Sequence, residues 1–205
     1  MAAEILRATM QHIVIVVIAV AIAAAAGIPI AIAAVRHPRW GRRFLRVIDV
    51  IQTIPSLALF GFLIPLPLIG GIGVRTAIVA LILYSLLPIV RNTVIGITGI
   101  DPLVREAATV MGMTDRQRLL AVELPLATPS ILAGLRVATV IAIGVATIGA
   151  AIGGGGLGTL IFRGVAMVDT KRILAGALPA AGLALLADLL FSGVEKLAAK
   201  KWGSA

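Results

Sequence analysis

Residues 13–35 read IVIVVIAVAIAAAAGIPIAIAAV, a run of 23 without one charged or hydrogen-bonding side chain. About 20 apolar residues match the hydrocarbon thickness of a bilayer, whereas the core of a signal peptide is only about 7–15 residues. No basic start precedes the run, so it is a retained membrane span. Four more apolar stretches follow. The expected spans are 11–35, 47–69, 75–97, 129–152 and 173–194, within a single domain of 205 residues. In lipid, backbone polar groups must be satisfied within each segment. The fold class is therefore all-α, a polytopic membrane protein. Composition removes the alternative of a very apolar soluble bundle: 60% of residues are hydrophobic and 13% charged, against about 25% charged in soluble domains.

The net charge of +9 does not point to nucleic acid, because two Trp, one Tyr and five Phe supply no aromatic interleaving for base stacking. Its distribution is informative instead. Twelve Lys and Arg fall on one side of the expected topology: Arg36, Arg39, Arg42, Arg43, Arg46, then Arg91, Arg105, Arg116, Arg118, then Lys196, Lys200, Lys201. Five fall on the other side, Arg7, Arg75, Arg163, Lys171 and Arg172, and Arg136 lies inside the fourth span. The excess places the first connection, the 101–125 segment and the C-terminus in the cytoplasm and the N-terminus outside. Trp40 and Trp202, beside basic clusters, suit interfacial anchors. The sequence has no cysteine, which removes disulfide and thiolate chemistry. His12 and His37 stand apart at span edges and read as interfacial polar residues; no metal site is expected. Pro29, Pro55, Pro88 and Pro179 interrupt four spans and favour kinks. Gly149 and Gly153 have the spacing of a close helix–helix contact.

The segment EAATVMGMTDRQRLLAVELP, residues 106–125, is a charged island between apolar runs. Asp101-Pro102 is a helix start, with Asp as cap and Pro at the first position. Gly112 ends that helix. Thr114 with Gln117 three residues later forms a capping box for a second short helix, which Pro125 ends. Thr128-Pro129 then opens the fourth span. The reading is a docking element of two short helices about a glycine bend: Ala107 and Ala108 leave room for another surface, and Glu106, Asp115, Arg116 and Arg118 offer charge pairs. The alternative is a helix resting on lipid headgroups. Such helices are rich in Lys and Arg with bulky apolar faces, whereas here acids and bases balance around Ala-Ala.

Glu106-Ala107-Ala108, three residues, Gly112, nine residues, then Val122-Glu123-Leu124-Pro125 resembles the EAA loop of permease subunits of binding-protein-dependent ABC importers, with Val122 in place of Ile. The stretches IQTIPSLALFGFLIPL (51–66), YSLLPIVRNTVIGI (84–97) and IGVATIGAAIGGGGLGTLIFRG (143–164) are similar to permeases for glycine betaine, choline, carnitine and related osmoprotectants. The resemblance implies that Glu106, Ala107, Ala108, Gly112, Met113, Thr114, Asp115, Leu124 and Pro125 engage an ATP-binding subunit and pass its closure to the spans. It implies a second permease chain, the same or related, two ATP-binding subunits, an extracytoplasmic substrate-binding protein and a prokaryotic inner membrane. This chain is then no enzyme, and ATP and Mg belong to the partner ATPase. The chain ends soon after the fifth span, so a separate binding protein is expected.

No Gly-x-x-x-x-Gly-Lys-Ser/Thr occurs, so no phosphate-binding loop is present. Residues 153–158, GGGGLG, match a dinucleotide fingerprint only formally, since they follow a membrane helix rather than a strand. Gly153, Gly154, Gly155, Gly156 and Gly158 are read as a flexible outer bend facing a docked binding protein. A quaternary ammonium is usually held by an aromatic cage, and with so few aromatics selectivity is expected mainly in the binding protein. Gln52, Thr53, Pro55, Ser56, Tyr84, Ser85 and Asn92 are candidates for a weakly polar path. A charge at a span centre costs about 2.5–3.5 kcal/mol on insertion scales. Asp49 and Arg136 are therefore expected to snorkel, and Asp188, which lies deeper, to find a buried partner. Asp188 also supports a rival reading, an ion-coupled carrier; a third is a membrane scaffold.

Overall fold

The structure is a computed structural model that describes residues 1–67 and 69–202; position 68, inside the second expected span, lies outside the described residues. The described chain is helical throughout, without strands. Its helices are α1 (Ala2–Arg36), α2 (Pro38–Thr53), α3 (Ser56–Leu63), α4 (Val74–Thr98), α5 (Pro102–Val110), α6 (Asp115–Arg118), α7 (Leu124–Gly149), α8 (Gly158–Ala166) and α9 (Thr170–Trp202). Three single helices and the α6–α7 unit, Asp115–Ile152, are long and apolar enough to cross a bilayer.

The second expected span is not one rod. It consists of α2 and α3, whose axes differ by 103°, and the break falls at Ile54-Pro55. Proline disfavours helical geometry in the residue before it, and Ile54 is extended accordingly. The basic connection 36–46 is not a loop either: Arg39, Arg42, Arg43 and Arg46 all belong to α2. Pro29, Pro88, Pro129 and Pro179 are carried inside continuous helices.

The fourth span also differs from expectation. Neither Pro125 nor Thr128-Pro129 divides it. One π-helical turn over Leu119–Glu123, in which the Leu124 N–H bonds the Leu119 carbonyl, joins α6 to α7. A widened turn of this kind shifts the carbonyls that a proline ring would otherwise strike. Pro125 follows directly on that turn, at the head of α7.

α4 and α7 form the spine. Ile15, Val16, Ala19 and Val20 of α1 pack with Leu81 of α4 and Ala142, Ile143 and Ala146 of α7. Leu59, Phe60 and Leu63 of α3 pack with Ala77, Ala80 and Tyr84. The close approach between α4 and α7 is made by Gly96 and Gly134, not by Gly149 and Gly153. A Cβ on Gly96 would lie 2.7 Å from Ser130 Cβ, and one on Gly134 would lie 2.8 Å from the Pro88 carbonyl oxygen. Gly149 meets Ala77 and Phe60 at an ordinary 3.4 Å.

Candidate functional site

The segment between α4 and α7 folds as its local signals require. Asp101 accepts a hydrogen bond from the Leu103 N–H and caps α5. Gly112 turns the chain at φ +77°, a left-handed conformation that costs most residues about 1–2 kcal/mol. The Thr114–Gln117 capping box is complete: the Thr114 N–H donates to Gln117 Oε1 at 2.9 Å, and the Gln117 N–H donates to Thr114 Oγ1 at 3.3 Å.

What anchors this element is Glu123, which is 3% exposed. Its carboxylate meets three guanidiniums from three parts of the fold: Arg36 Nη2 at 2.8 Å, Arg118 Nε at 3.5 Å and Arg105 Nε at 3.7 Å. Arg36 is the last residue of α1, Arg105 lies in α5 and Arg118 ends α6. Arg105 also donates to the Ile97 carbonyl near the end of α4. Arg118 donates to Asp115 Oδ1 at 2.7 Å and to Thr109 Oγ1 at 3.1 Å. The α5–α6 element is thus tied to the ends of α1 and α4 and to the head of α7. Sequence reasoning missed Glu123. The available signal was a lone acid in LLAVELPLA, which lipid or core surroundings would leave unpaired unless arginines converge on it.

The outward surface differs in detail from expectation. Glu106 and Ala107 are exposed, but Ala108 is buried in the chain itself. Arg118 turns inward to Glu123 and Asp115 and so offers its charge to this chain rather than to a partner. Val110 and Met111 at the tip are 88% and 75% exposed. Gly112 has nothing within 4 Å of a built Cβ. A shallow cleft of about 430 Å³ is lined by Arg105, Glu106, Thr109, Val110 and Arg118. Met113, Leu124 and Pro125 are half-buried, and Thr114 and Asp115 are exposed.

The candidate path residues mostly serve the fold. Gln52 donates to the Tyr84 carbonyl at 2.6 Å, and the Tyr84 hydroxyl donates to the Ile54 carbonyl, so both brace the α2–α3 break. Ser85 is fully buried. Asn92 and Thr53 bond carbonyls of their own helices, those of Pro88 and Val50. Ser56 starts α3 just after Pro55.

The glycine segment is not a flexible outer bend. The Gly156 N–H donates to Gln11 Oε1 at 3.1 Å, and the Leu157 N–H donates to His12 Nδ1 at 3.4 Å. The other His12 nitrogen, Nε2, lies 3.1 Å from the Ile143 carbonyl. His12 is therefore not interfacial: it is 1% exposed and bridges α1, α7 and the glycine segment. Gly155 and Gly156 have φ +79° and +72°, and a Cβ on Gly155 would lie 2.3 Å from Gln11 Nε2.

Asp188 is held by Arg136, whose Nε and Nη2 donate to Oδ1 and Oδ2 at 2.6 and 2.9 Å. Arg136 does not snorkel free. Asp49 likewise pairs with Arg91 at 3.0 Å. Among the described residues, no group of three or more His, Cys, Asp or Glu is arranged to hold a metal.

Comparison with known proteins agrees with this architecture. The chain is 46% identical over 169 residues to the carnitine transport permease protein OpuCD of Listeria monocytogenes, covering 82% of this chain and 74% of that protein. It is 44% identical to the osmoprotectant import permease protein OsmW of Salmonella typhimurium, covering 91% and 88%. It is 40% identical to the choline transport system permease protein OpuBB of Bacillus subtilis, covering 94% and 88%. Its fold is similar to a chain of the MetNI methionine ABC transporter, solved in inward-facing conformations, with a TM-score of 0.88 at 19% identity over 97% of each chain. Residues 23–202 match the family model for the inner membrane component of binding-protein-dependent transport systems. With four helices long and apolar enough to cross a membrane, a fifth pass if the bent α2–α3 pair is one span, and an anchored helical element between α4 and α7, the chain belongs to that family of inner membrane transport components, as a transport subunit rather than an enzyme.

Proposed function

We propose that this chain is the permease subunit of an ATP-driven importer for osmoprotectants: glycine betaine, choline, carnitine or related quaternary ammonium compounds. The observation that carries the reading is 40–46% identity over most of the chain to permeases named for carnitine, choline and osmoprotectant transport. In this reading residues 101–125 lie in the cytoplasm and the N-terminus outside. Glu106, Ala107, Val110 and Met111 meet a separate ATP-binding subunit, which holds ATP and Mg. Closure of two such subunits moves α5 and α6. The Glu123 cluster passes the motion to α1, α4 and α7. A second permease chain completes the path, and an extracytoplasmic binding protein docks on the opposite face, near 70–75 and 153–172. Ile72, Phe162 and Val168 are exposed there. The rival carrier reading loses its basis, because Asp188 is committed to Arg136.

The test is uptake by the reconstituted complex. Gly112→Asp is expected to leave insertion intact and to reduce ATP-dependent uptake at least tenfold. Gly112→Asn, which tolerates the left-handed backbone as Asp does but adds no charge to the exposed turn, is expected to keep a substantial part. Normal transport by the Asp variant overturns the docking assignment. Uptake without an ATP-binding subunit overturns the importer reading.

A further inference from the structure

Residues 38–50 read PRWGRRFLRVIDV. Arg39, Arg43, Arg46 and Val50 follow one another at spacings of four, three and four, which puts them on one stripe of α2. All four are exposed, whereas Gly41 and Ile48 on the opposite stripe are buried. Val47 and Val50 are 57% and 64% exposed. The outward side of α2 therefore changes from guanidinium to hydrocarbon within about one turn. Trp40 stacks on Phe44 with ring centroids 5.1 Å apart, and such rings settle between water and lipid. Together these features mark the membrane surface, on the side of the chain that carries Glu123.

The arginines at this level are unevenly committed. Arg36 bonds Glu123, and Arg46 donates to the Arg42 carbonyl of its own helix. Among the described residues, Arg39, Arg42 and Arg43 have no ion pair. The acids of this corner, Glu123 and Asp49, already face other arginines. A cavity of about 620 Å³ opens where α1 meets α2, lined by Arg36, His37, Pro38, Arg39, Trp40 and Arg42. A second, of about 190 Å³, adjoins it, and Pro38 and Arg42 line both. The second is a groove between α1, α2 and α4, walled by Ala34, Val35, Leu45, Val94 and Thr98. The Thr98 hydroxyl is turned to carbonyls of its own helix, so the groove is apolar.

We propose that this corner binds an anionic phospholipid, with the phosphate among Arg36, Arg39 and Arg42 and one acyl chain in the groove. A basic cavity joined to an apolar one at the membrane surface complements a molecule that carries a phosphate beside a hydrocarbon chain. Guanidinium forks match phosphate oxygens, and basic pockets between membrane helices hold lipid headgroups through this chemistry. A free phosphate fills only the first cavity and an acidic protein surface leaves the groove empty, so a lipid accounts for both. The site is independent of the solute that the chain carries.

The experiment titrates the full-length chain in detergent with phosphatidylglycerol, phosphatidylethanolamine and inorganic phosphate, and counts bound lipid by native mass spectrometry. Arg39→Gln/Arg42→Gln is expected to weaken phosphatidylglycerol binding by about tenfold or more, roughly fivefold for each guanidinium lost. Binding of the zwitterionic phosphatidylethanolamine and the thermal unfolding midpoint stay as in the wild type. Arg43→Gln/Arg46→Gln removes the same charge outside both cavities and is expected to lose no more than about threefold. Equal losses in the two double variants overturn the site, leaving general attraction to an anionic surface. Thr98→Phe fills the groove from an exposed position and is expected to weaken phosphatidylglycerol binding with all arginines in place. An unaltered affinity in Thr98→Phe, or displacement of the lipid by millimolar inorganic phosphate, overturns the lipid as ligand. So does an Arg39→Gln/Arg42→Gln chain that keeps phosphatidylglycerol but no longer retains the ATP-binding subunit, which assigns the corner to that partner.

Discussion

Glu123 combines nearly complete burial with three cationic neighbours from distant parts of the chain. Removing the negative partner of a buried ion pair costs about 3–5 kcal/mol, since the remaining charges stay desolvated. Arg36 and Arg105 are about a third exposed, which puts Glu123→Gln toward the low end, about 3 kcal/mol. The substitution is expected to lower the thermal unfolding midpoint of the detergent-solubilised chain and to weaken recovery of the ATP-binding subunit. Arg36→Gln should be milder, because two guanidiniums remain around the carboxylate. If Glu123→Gln retains the ATP-binding subunit and full stability, the anchoring role is refuted. Burial and ion pairing of this kind were invisible along the chain. Arg36 and Glu123 are 87 residues apart, and only the bundle brings them together.

At the scale of elements, local signals were read well and long-range ones were not. The Asp101 cap, the Gly112 turn and the Thr114–Gln117 box depend on residues within three positions of one another, so the sequence displays them directly. The α2–α3 break at Pro55 and the continuous passage through Pro125 depended on what surrounds each proline. Gln52 and Tyr84 brace the first, and a widened turn absorbs the second. The glycine segment 153–158 is the sharpest correction. Its conformation is glycine-dependent, yet it is pinned by Gln11 and His12 from 145 residues away. Gly156→Ala places a Cβ 2.8 Å from His12 Nδ1 at a backbone φ of +72°. This variant is expected to unfold at a lower temperature than the wild type. Gly182→Ala, inside α9 with nothing within 4 Å, should match or exceed wild-type stability through helix propensity, worth about 1 kcal/mol. Equal melting of the two variants refutes a packed glycine segment.

For the whole molecule, the proposed orientation yields a direct measurement. The sequence contains no cysteine, so single cysteines report position without background. A cysteine at Met111 is expected to react with an impermeant maleimide only after the cytoplasmic face is opened. One at Val168, 88% exposed on the opposite face, should react in intact cells. The reverse pattern overturns the orientation. Hydropathy alone indicated that the chain is helical with about five membrane spans, because lipid leaves few other ways to satisfy backbone hydrogen bonds. The structure has four helices of spanning length, with a fifth pass if α2 and α3 are one span. Local spacing likewise determined the two short helices α5 and α6 between α4 and α7. Only the tertiary structure decided which charges became anchors and which stayed open. Glu123 closes on three arginines, while Arg136, Asp188 and Glu195 keep an exposed side. That difference arises from how α1, α4, α7 and α9 cross, and a crossing angle is set by side chains far apart in sequence, not by the pattern along any one helix.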